Sequence, residues 1–444
     1  MPKPWRALLF LPLLLVAAAV QGATAPATVT IGHDSVALTG PWKFQVGDDP
    51  RWAEPGFDDS NWEDMDLSAP PEASDGDVGI TPYTSGWDTK EHPRYQGYAW
   101  YRLRITANAP AGETLALLGP WAVDSTYQVY IDGTLLGGVG DFSGSTPKAY
   151  GTHYPTRFAL PSGLASGGTL MLAIRVWSGP WAIGAGGIHV APAIGTQAAI
   201  DTHYRLQWLT IFEGYMVDTI PALLFGLMAL LVLCLWPFER SNKAYPWLAV
   251  AMLLSGIQRG NQAFFFWCRI ETIQEFVLVI LVLVSSLCLG AWMMAWYRWF
   301  RLDRPTWFPR AICGLTLLLL LARLLAYLPA LGASLPHWLT LTAHYAGTWT
   351  RYAFILTLGW IAYAGIRLRG REALYTLPAI LAIATVLFAG ELSALHVPGI
   401  WFPWGIGVSL GEYASVVFDV LLAALLLRRL WSYAPSPAHS EVAA

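Results

Sequence analysis

The stretch Pro221-Ala222-Leu223-Leu224-Phe225-Gly226-Leu227-Met228-Ala229-Leu230-Leu231-Val232-Leu233-Cys234-Leu235-Trp236 decides what kind of protein this is. It closes an apolar run over 217–236 whose roughly 20 residues rise about 30 Å as an α-helix, the thickness of a bilayer's hydrocarbon core. Toward the C-terminus, runs of similar length lie near 245–266, 276–297, 309–328, 344–366, 374–393 and 406–427. Residues 206–430 are therefore predicted to form seven transmembrane helices. Arg259, Asn261 and Gln262 interrupt the second run. Leaving it out would put both ends of the chain on one side, and the charges decide against that. With seven crossings, 237–244, 298–308, 367–373 and the tail after 427 face inward. They carry Arg240 and Lys243; Arg298, Arg301 and Arg304; Arg367, Arg369 and Arg371; and Arg428 and Arg429. The outer joins hold Arg269, and no Lys or Arg in 329–341 or 394–404. This positive-inside asymmetry predicts the N-terminus outside and the C-terminus inside.

Composition agrees. Of 444 residues, 55% are AVILMFWYC and 13% are DEKR, about half the usual charge, which excludes a wholly soluble protein. Residues 26–205 hold 19 acids and 10 bases, against 11 acids and 15 bases in 206–444. No stretch gathers the dense Lys/Arg patch that nucleic acid requires.

Working back to the start, Lys3 and Arg6 precede an apolar run from Ala7 to Val20, then Gly22, Ala23 and Ala25. That pattern predicts a secretory signal peptide over 1–25. Its roughly 14 apolar residues would reach only about 21 Å, too short to span. All four cysteines, Cys234, Cys268, Cys288 and Cys313, fall in the second half, so the exported domain must be held by its core.

Residues 26–205 read as an all-β domain. In Trp100-Tyr101-Arg102-Leu103-Arg104-Ile105, the apolar Tyr101, Leu103 and Ile105 alternate with arginines, as in a half-buried strand. Tyr127 to Ile131 repeats the pattern and enters Asp132-Gly133, a tight-hairpin pair. Thr169 to Trp177 is a third such strand. About nine or ten short strands without a convincing helix predict a β-sandwich. Gly-Pro-Trp recurs at 40–42, 119–121 and 179–181. Each occurrence reads as a turn with an aromatic plug, or, at Trp121 and Trp181, as an exposed indole face able to stack on a sugar. Trp87, Trp121, Asp124 and Trp181 are the candidate ligand contacts.

Several spaced elements carry a family resemblance: Leu38 to Phe44, Gly47 to Pro50, Phe57 to Trp62, Gly97 to Arg102, the Val129 to Gly133 hairpin and Gly186-Gly187-Ile188. In that order they resemble the N-terminal sugar-binding jelly roll of family 2 glycoside hydrolases, over most of 36–192. The resemblance implies a galactose-binding-like sandwich and a carbohydrate ligand, but not catalysis, which in those hydrolases sits in a separate barrel. Asp58 and Asp59 are adjacent and read as surface or turn-capping acids, since a glycosidase pair needs about 5 to 10 Å across a cleft.

The ionisable residues inside the runs are Arg323, His344, Arg351, Glu391, Glu412 and Asp419. A charge near mid-bilayer costs roughly 2.5 to 3.5 kcal/mol, so these should face the bundle interior and pair. Seven-residue spacing aligns His344 with Arg351 and Glu412 with Asp419 on shared faces. Arg323, Arg351, Glu391 and Glu412 fall in the outer half and are expected to form a polar cluster, either as a structural ion-pair network or as a ligand pocket or switch. His344 is the one histidine well inside a span, and Ser409 has no His base nearby, so neither a metal centre nor a catalytic triad is expected, and no cofactor.

The order of parts resembles the bacterial seven-transmembrane receptors that carry diverse intracellular signalling modules, the Gly411-Glu412-Tyr413 and Leu425-Leu426-Leu427-Arg428-Arg429-Leu430 elements of the last helix included. That resemblance implies sensing of an external small molecule and relay to a cytoplasmic output. Residues 431–444 are too few for such a module, so the output is expected in a signalling partner or in a longer chain. The expectation is a multi-domain membrane protein of the bacterial inner membrane: an all-β jelly-roll sandwich in the periplasm, seven helices in the bilayer and a short cytoplasmic tail. It would sense a saccharide or other small molecule and is not expected to be an enzyme. The rival reading is an envelope or polysaccharide-binding protein merely anchored by the bundle; a transporter or intramembrane enzyme fits less well.

Overall fold

Alternating apolar residues build two sheets from β1 (Ala27–Thr30), β2 (Val36–Ala37), β3 (Trp42–Val46), β4 (Glu63–Met65), β5 (Gly97–Asn108), β6 (Leu115–Leu118), β7 (Thr126–Ile131), β8 (Thr134–Val139), β9 (Arg157–Ala159), β10 (Ser166–Ser178) and β11 (Ala193–Thr196). The computed structural model describes residues 27–394 and 410–433, apart from 32–33, 72, 74–79, 81, 88–90, 93–94, 109–111, 124, 152, 162–165, 180–185, 269, 303 and 332. The expected signal peptide, Asp124, Trp181 and the tail from 434 lie outside these residues.

One sheet runs β4-β3-β5-β10-β7-β8, with β1 parallel to the far end of β5; the other runs β2-β11-β6-β9. Their facing sides share one core. Tyr101, Leu103 and Ile105 of β5 and Leu170, Leu172, Ile174 and Val176 of β10 meet Leu115, Leu117 and Ile194 of the opposite sheet. The expected sandwich and the strand faces read from alternation are therefore present. Asp132 and Gly133 turn the β7–β8 hairpin at φ 48° and 84°, the left-handed pair a tight turn demands.

The outer face of β5 departs from the half-buried expectation. Arg102 is fully buried, its Nε donating to Asp59 Oδ2 at 2.7 Å, beneath a cover of Trp52, Phe57 and Trp62. Asp58 does cap a turn, accepting from the Ser60 amide. Asp59, read as a surface acid, is instead the counter-ion of a buried cation. A polar alternation pattern cannot distinguish an arginine facing water from one roofed by a loop more than forty residues away.

The sandwich ends earlier than expected. β11 closes at Thr196, whose side chain caps the first turn of α1 (Gln197–Leu235). Asp201, His203 and Arg205 make the first turns of this helix polar, so hydropathy alone placed the boundary at 205. Among the described residues seven further helices follow: α2 (Ala244–Trp267), α3 (Ile273–Trp299, π-helical over Val277–Val284), α4 (Phe308–Tyr327), α5 (His337–Arg369), α6 (Leu377–Leu387), α7 (Ala389–Ser393) and α8 (Leu410–Tyr433), with a single turn at Arg371–Leu374 between α5 and α6.

Among the described residues four stretches are long and apolar enough to cross a membrane: Gln197–Glu239, Ile273–Trp299, Phe308–Tyr327 and Leu410–Leu430. The other predicted spans are helical too, but less qualified. α2 carries Gln258, Arg259, Asn261 and Gln262; the first half of α5 is rich in Thr and His; and the run at 374–393 breaks at Phe388 into α6 and α7.

At one end of the helices the basic joins converge. Arg301 pairs with Glu239, Arg369 donates to the Phe300 carbonyl, Arg429 lies 3.7 Å from the Trp299 ring, and Arg428 lies 4.1 Å from Tyr375. At the other end the sandwich sits on α1, α2 and α3. Replacing Asp59 by Ala strands the buried Arg102 charge and is expected to cost about 3 to 5 kcal/mol, read as a lower melting temperature of the full chain; Asp58→Ala should cost far less.

Candidate functional site

Three guanidiniums meet inside the helices. Gly256 on α2 lets α1 approach closely: a Cβ there would stand 3.2 Å from the Ala222 carbonyl oxygen. One turn further along, Arg259 Nη1 donates to Asp218 Oδ1 of α1 at 3.0 Å and to Glu412 Oε1 of α8 at 2.7 Å. One cation thus ties three helices through two almost fully buried acids. On α5, Arg351 grips both carboxylate oxygens of Glu391 on α7, with Nη2 2.6 Å from Oε2, and also donates to the Leu387 carbonyl at 3.0 Å. Such forked contacts are the strong form of the pair.

Arg323 on α4 has a different environment. Its Nη1 donates to the Leu281 carbonyl and to Ser285 Oγ, each at 2.6 Å, and it pairs with no carboxylate among the described residues. Both partners belong to α3, Leu281 within the π-helical stretch and Ser285 just after it. Between these groups lies a cavity of about 210 Å³, walled by Arg259, Arg323 and Arg351 together with Ser255, Gln258 and Ser285.

The expected pairing is seen for Arg351 and Glu391, while Arg323 lines the same cavity without a carboxylate partner among the described residues. The expectation needs correction elsewhere. Glu412 pairs with Arg259, not with Arg323 or Arg351, and Asp218 completes that triad. Both added residues stood in the sequence with a readable signal, an ionisable side chain inside an apolar run. In the sequence Arg259 interrupts the second apolar run, and Asp218 lies at the start of the first. Asp419 is buried on the Glu412 face, as its spacing requires, yet its carboxyl oxygens have no hydrogen-bond partner among the described residues. His344 is exposed. It shares a face with Arg351 but lies about 10 Å further along the helix, beyond the Arg351–Glu391 pair.

The sandwich candidates are likewise relocated. Trp87 is fully buried, tilted against Phe44 and edge-on to Tyr95, with Gly186 pressed onto its ring so closely that a Cβ would come within 2.5 Å. Trp121 is 6% exposed and packs with Ile211 and Tyr215 of α1 and Phe265 and Phe266 of α2. Neither indole offers a free face to a sugar. The hollow beside Trp121, Tyr127 and Tyr154 measures about 10 Å³, room for about one water. Trp42 bears out the aromatic-plug reading of Gly-Pro-Trp: it is fully buried, with Nε1 on the Leu38 carbonyl at 2.8 Å.

Trp121 instead marks a joint. Its cluster also holds Trp177 of β10 and Ile273 and Val277 of α3. Tyr215 and Phe266 stack at 3.9 Å, Tyr154 donates to the Phe265 carbonyl at 3.1 Å, and the Ile273 amide donates to the Ala149 carbonyl at 2.9 Å. Two residues along β10 from Trp177, Arg175 bridges Asp48 and Gln128 and lies 4.2 Å from the Tyr98 ring and 5.6 Å from that of Phe142. Burial works against its charge, but Asp48 outweighs burial and raises the Arg175 pKa above the usual guanidinium value. This partly open aromatic and ionic patch was invisible in the sequence, because Asp48, Tyr98, Gln128 and Arg175 come from widely separated segments.

No protein-family model and no curated protein matches the chain. Solved structures do resemble its N-terminal third. A calcium-binding mutant of Bacteroides uniformis beta-glucuronidase 2 is 23% identical over 36% of this chain and 18% of its own, with a TM-score of 0.24. A beta-glycosidase from Bacteroides vulgatus gives 20%, 37%, 20% and 0.26, and a Faecalibacterium prausnitzii beta-glucuronidase 19%, 36%, 31% and 0.23. The chain spans less than a third of each of these proteins, and the likeness does not extend to the helices.

Arg259→Leu leaves two buried acids without their cation and is expected to cost on the order of 3 kcal/mol. The triple variant Arg259→Leu, Asp218→Leu, Glu412→Leu should recover most of that loss in thermal unfolding of the detergent-solubilised chain, since no stranded charge remains.

Proposed function

We propose that this chain is a sensor of the bacterial cell envelope, held in the inner membrane by seven helices, with the sandwich in the periplasm and the C-terminus in the cytoplasm. The sandwich binds a carbohydrate-like small molecule, and the bundle relays the event to a cytoplasmic partner. The observation that carries this reading is the joint. A single apolar cluster contains residues of β10, α1, α2 and α3, and the Arg175 patch borders it through Trp177 and Tyr98. A ligand on that patch would act on side chains already in contact with the helices.

Transmission needs a ligand that favours one of two helix arrangements. The cavity with its buried ion pairs supplies groups that can exchange partners, and the Arg259 triad couples α1, which leaves the sandwich directly, to α8, which leads inward. The convergence of basic joins at the end away from the sandwich supports the orientation, because cytoplasmic loops carry the excess of Lys and Arg.

Two measurements test the proposal. With the native cysteines removed, an impermeant maleimide applied to spheroplasts should label Ser334→Cys and spare Ser241→Cys; the opposite pattern overturns the orientation. With full chain in nanodiscs, a panel of neutral and acidic saccharides should include one that raises the melting temperature in an Arg175-dependent way and slows hydrogen exchange over 263–277. No shift with any sugar sinks the carbohydrate assignment. A shift that leaves the helices unchanged favours the anchored binding protein.

A further inference from the structure

We infer that the cavity walled by α1, α2, α3, α4, α5, α6 and α7 is a binding site for a small carboxylate, with Arg323 as its counter-ion. This rests on the cavity alone and stands whether or not the sandwich binds a sugar.

Two places around the cavity are unbalanced: the Arg259 triad holds one carboxylate more than it has cations, and Arg323 has no carboxylate partner among the described residues. Arg259 is committed to Asp218 and Glu412, and Arg351 is forked onto Glu391. Arg323 brings a third cation into the same wall. A carbonyl and a hydroxyl satisfy its Nη1, while its Nε and Nη2 make no hydrogen bond among the described residues. A guanidinium this deep in a helix bundle is costly unless an anion accompanies it. The edge formed by Nε and Nη2 is the one that receives a carboxylate in parallel with two hydrogen bonds, as Arg351 already does with Glu391.

Size and lining narrow the class. The cavity of about 210 Å³ is somewhat larger than a 150 Å³ apolar cavity that admits benzene. Phe225, Leu281, Leu289 and Val386 supply apolar lining to the same cavity. A charged head beside a compact apolar wall suits a monocarboxylate with a short hydrocarbon or single-ring body, of benzoate size or smaller. The π-helical stretch of α3 supplies the Leu281 carbonyl, placing the only irregular turn of that helix at the site, where such turns recur in functional proteins.

The test uses full chain in nanodiscs of fixed lipid composition and constant ionic strength, titrated with benzoate, butyrate, benzamide, chloride and inorganic phosphate. Benzoate or butyrate should bind saturably and raise the melting temperature, with at least tenfold weaker binding in Arg323→Gln. Arg323→Gln should itself fold normally, since it removes an uncompensated charge, and Ser285→Ala, which keeps the guanidinium, should retain binding within about threefold. Four results would overturn the assignment: no response to either carboxylate, an equal response to benzamide, an equal response in Arg323→Gln, or an equal response to chloride or phosphate. The last would point to a general anion or lipid-headgroup site instead.

Discussion

The sandwich and the helices share one unbroken backbone turn at Thr196, and most of what is distinctive here depends on that constraint. A flexible linker would let the outer domain move freely. Instead Thr196 ends β11 with its backbone and caps α1 with its hydroxyl. At 39 residues α1 extends about 58 Å, nearly twice the thickness of a bilayer's hydrocarbon core, so its first half projects beyond the length that a crossing needs. The sandwich lies along that projecting half. Tyr154 packs edge-on against Trp208, Arg157 pairs with Asp201, and Ser35 meets His203 at 2.8 Å. The orientation of the sandwich is thus set by a helix that also forms part of the bundle.

The buried charges form the second layer of constraint. In an apolar bundle, helix contact by packing alone is permissive about register, whereas a cation bridging two acids on other helices fixes register and rotation together. Arg259 does this for α1, α2 and α8, and Arg351 for α5 and α7. The same logic makes Arg323 and Asp419 informative, because each is a charge-bearing group without an opposite partner among the described residues.

Legibility differed between the two halves for a physical reason. In the sandwich, period-two alternation is a local record of which face meets the core, so β5, β7 and β10 and the Asp132-Gly133 hairpin were readable. What covers the other face is not local: Arg102 is buried by a loop around Asp59, and Trp87 and Trp121 are buried by Gly186 and by the helices. A tryptophan in a loop looks the same in sequence whether it meets sugar or a second domain. In the helices, position along the chain was readable to within a few residues at most ends, while the pairing of charges was not. Glu412 could reach any guanidinium at its depth, and only the arrangement of α1, α2 and α8 selects Arg259.

The sequence by itself determined that a charge-poor helical half follows an acidic β half, that the bases gather at alternate joins, and that ionisable residues lie inside apolar runs. These are properties of composition and period, which the solvent reads residue by residue. Only the tertiary structure decided that α1 begins at the sheet, that the Gly-Pro-Trp tryptophan at 121 seals a joint, and that three guanidiniums border one cavity. Each of these depends on which distant segments meet, and contacts between segments tens to hundreds of residues apart leave no period in the chain.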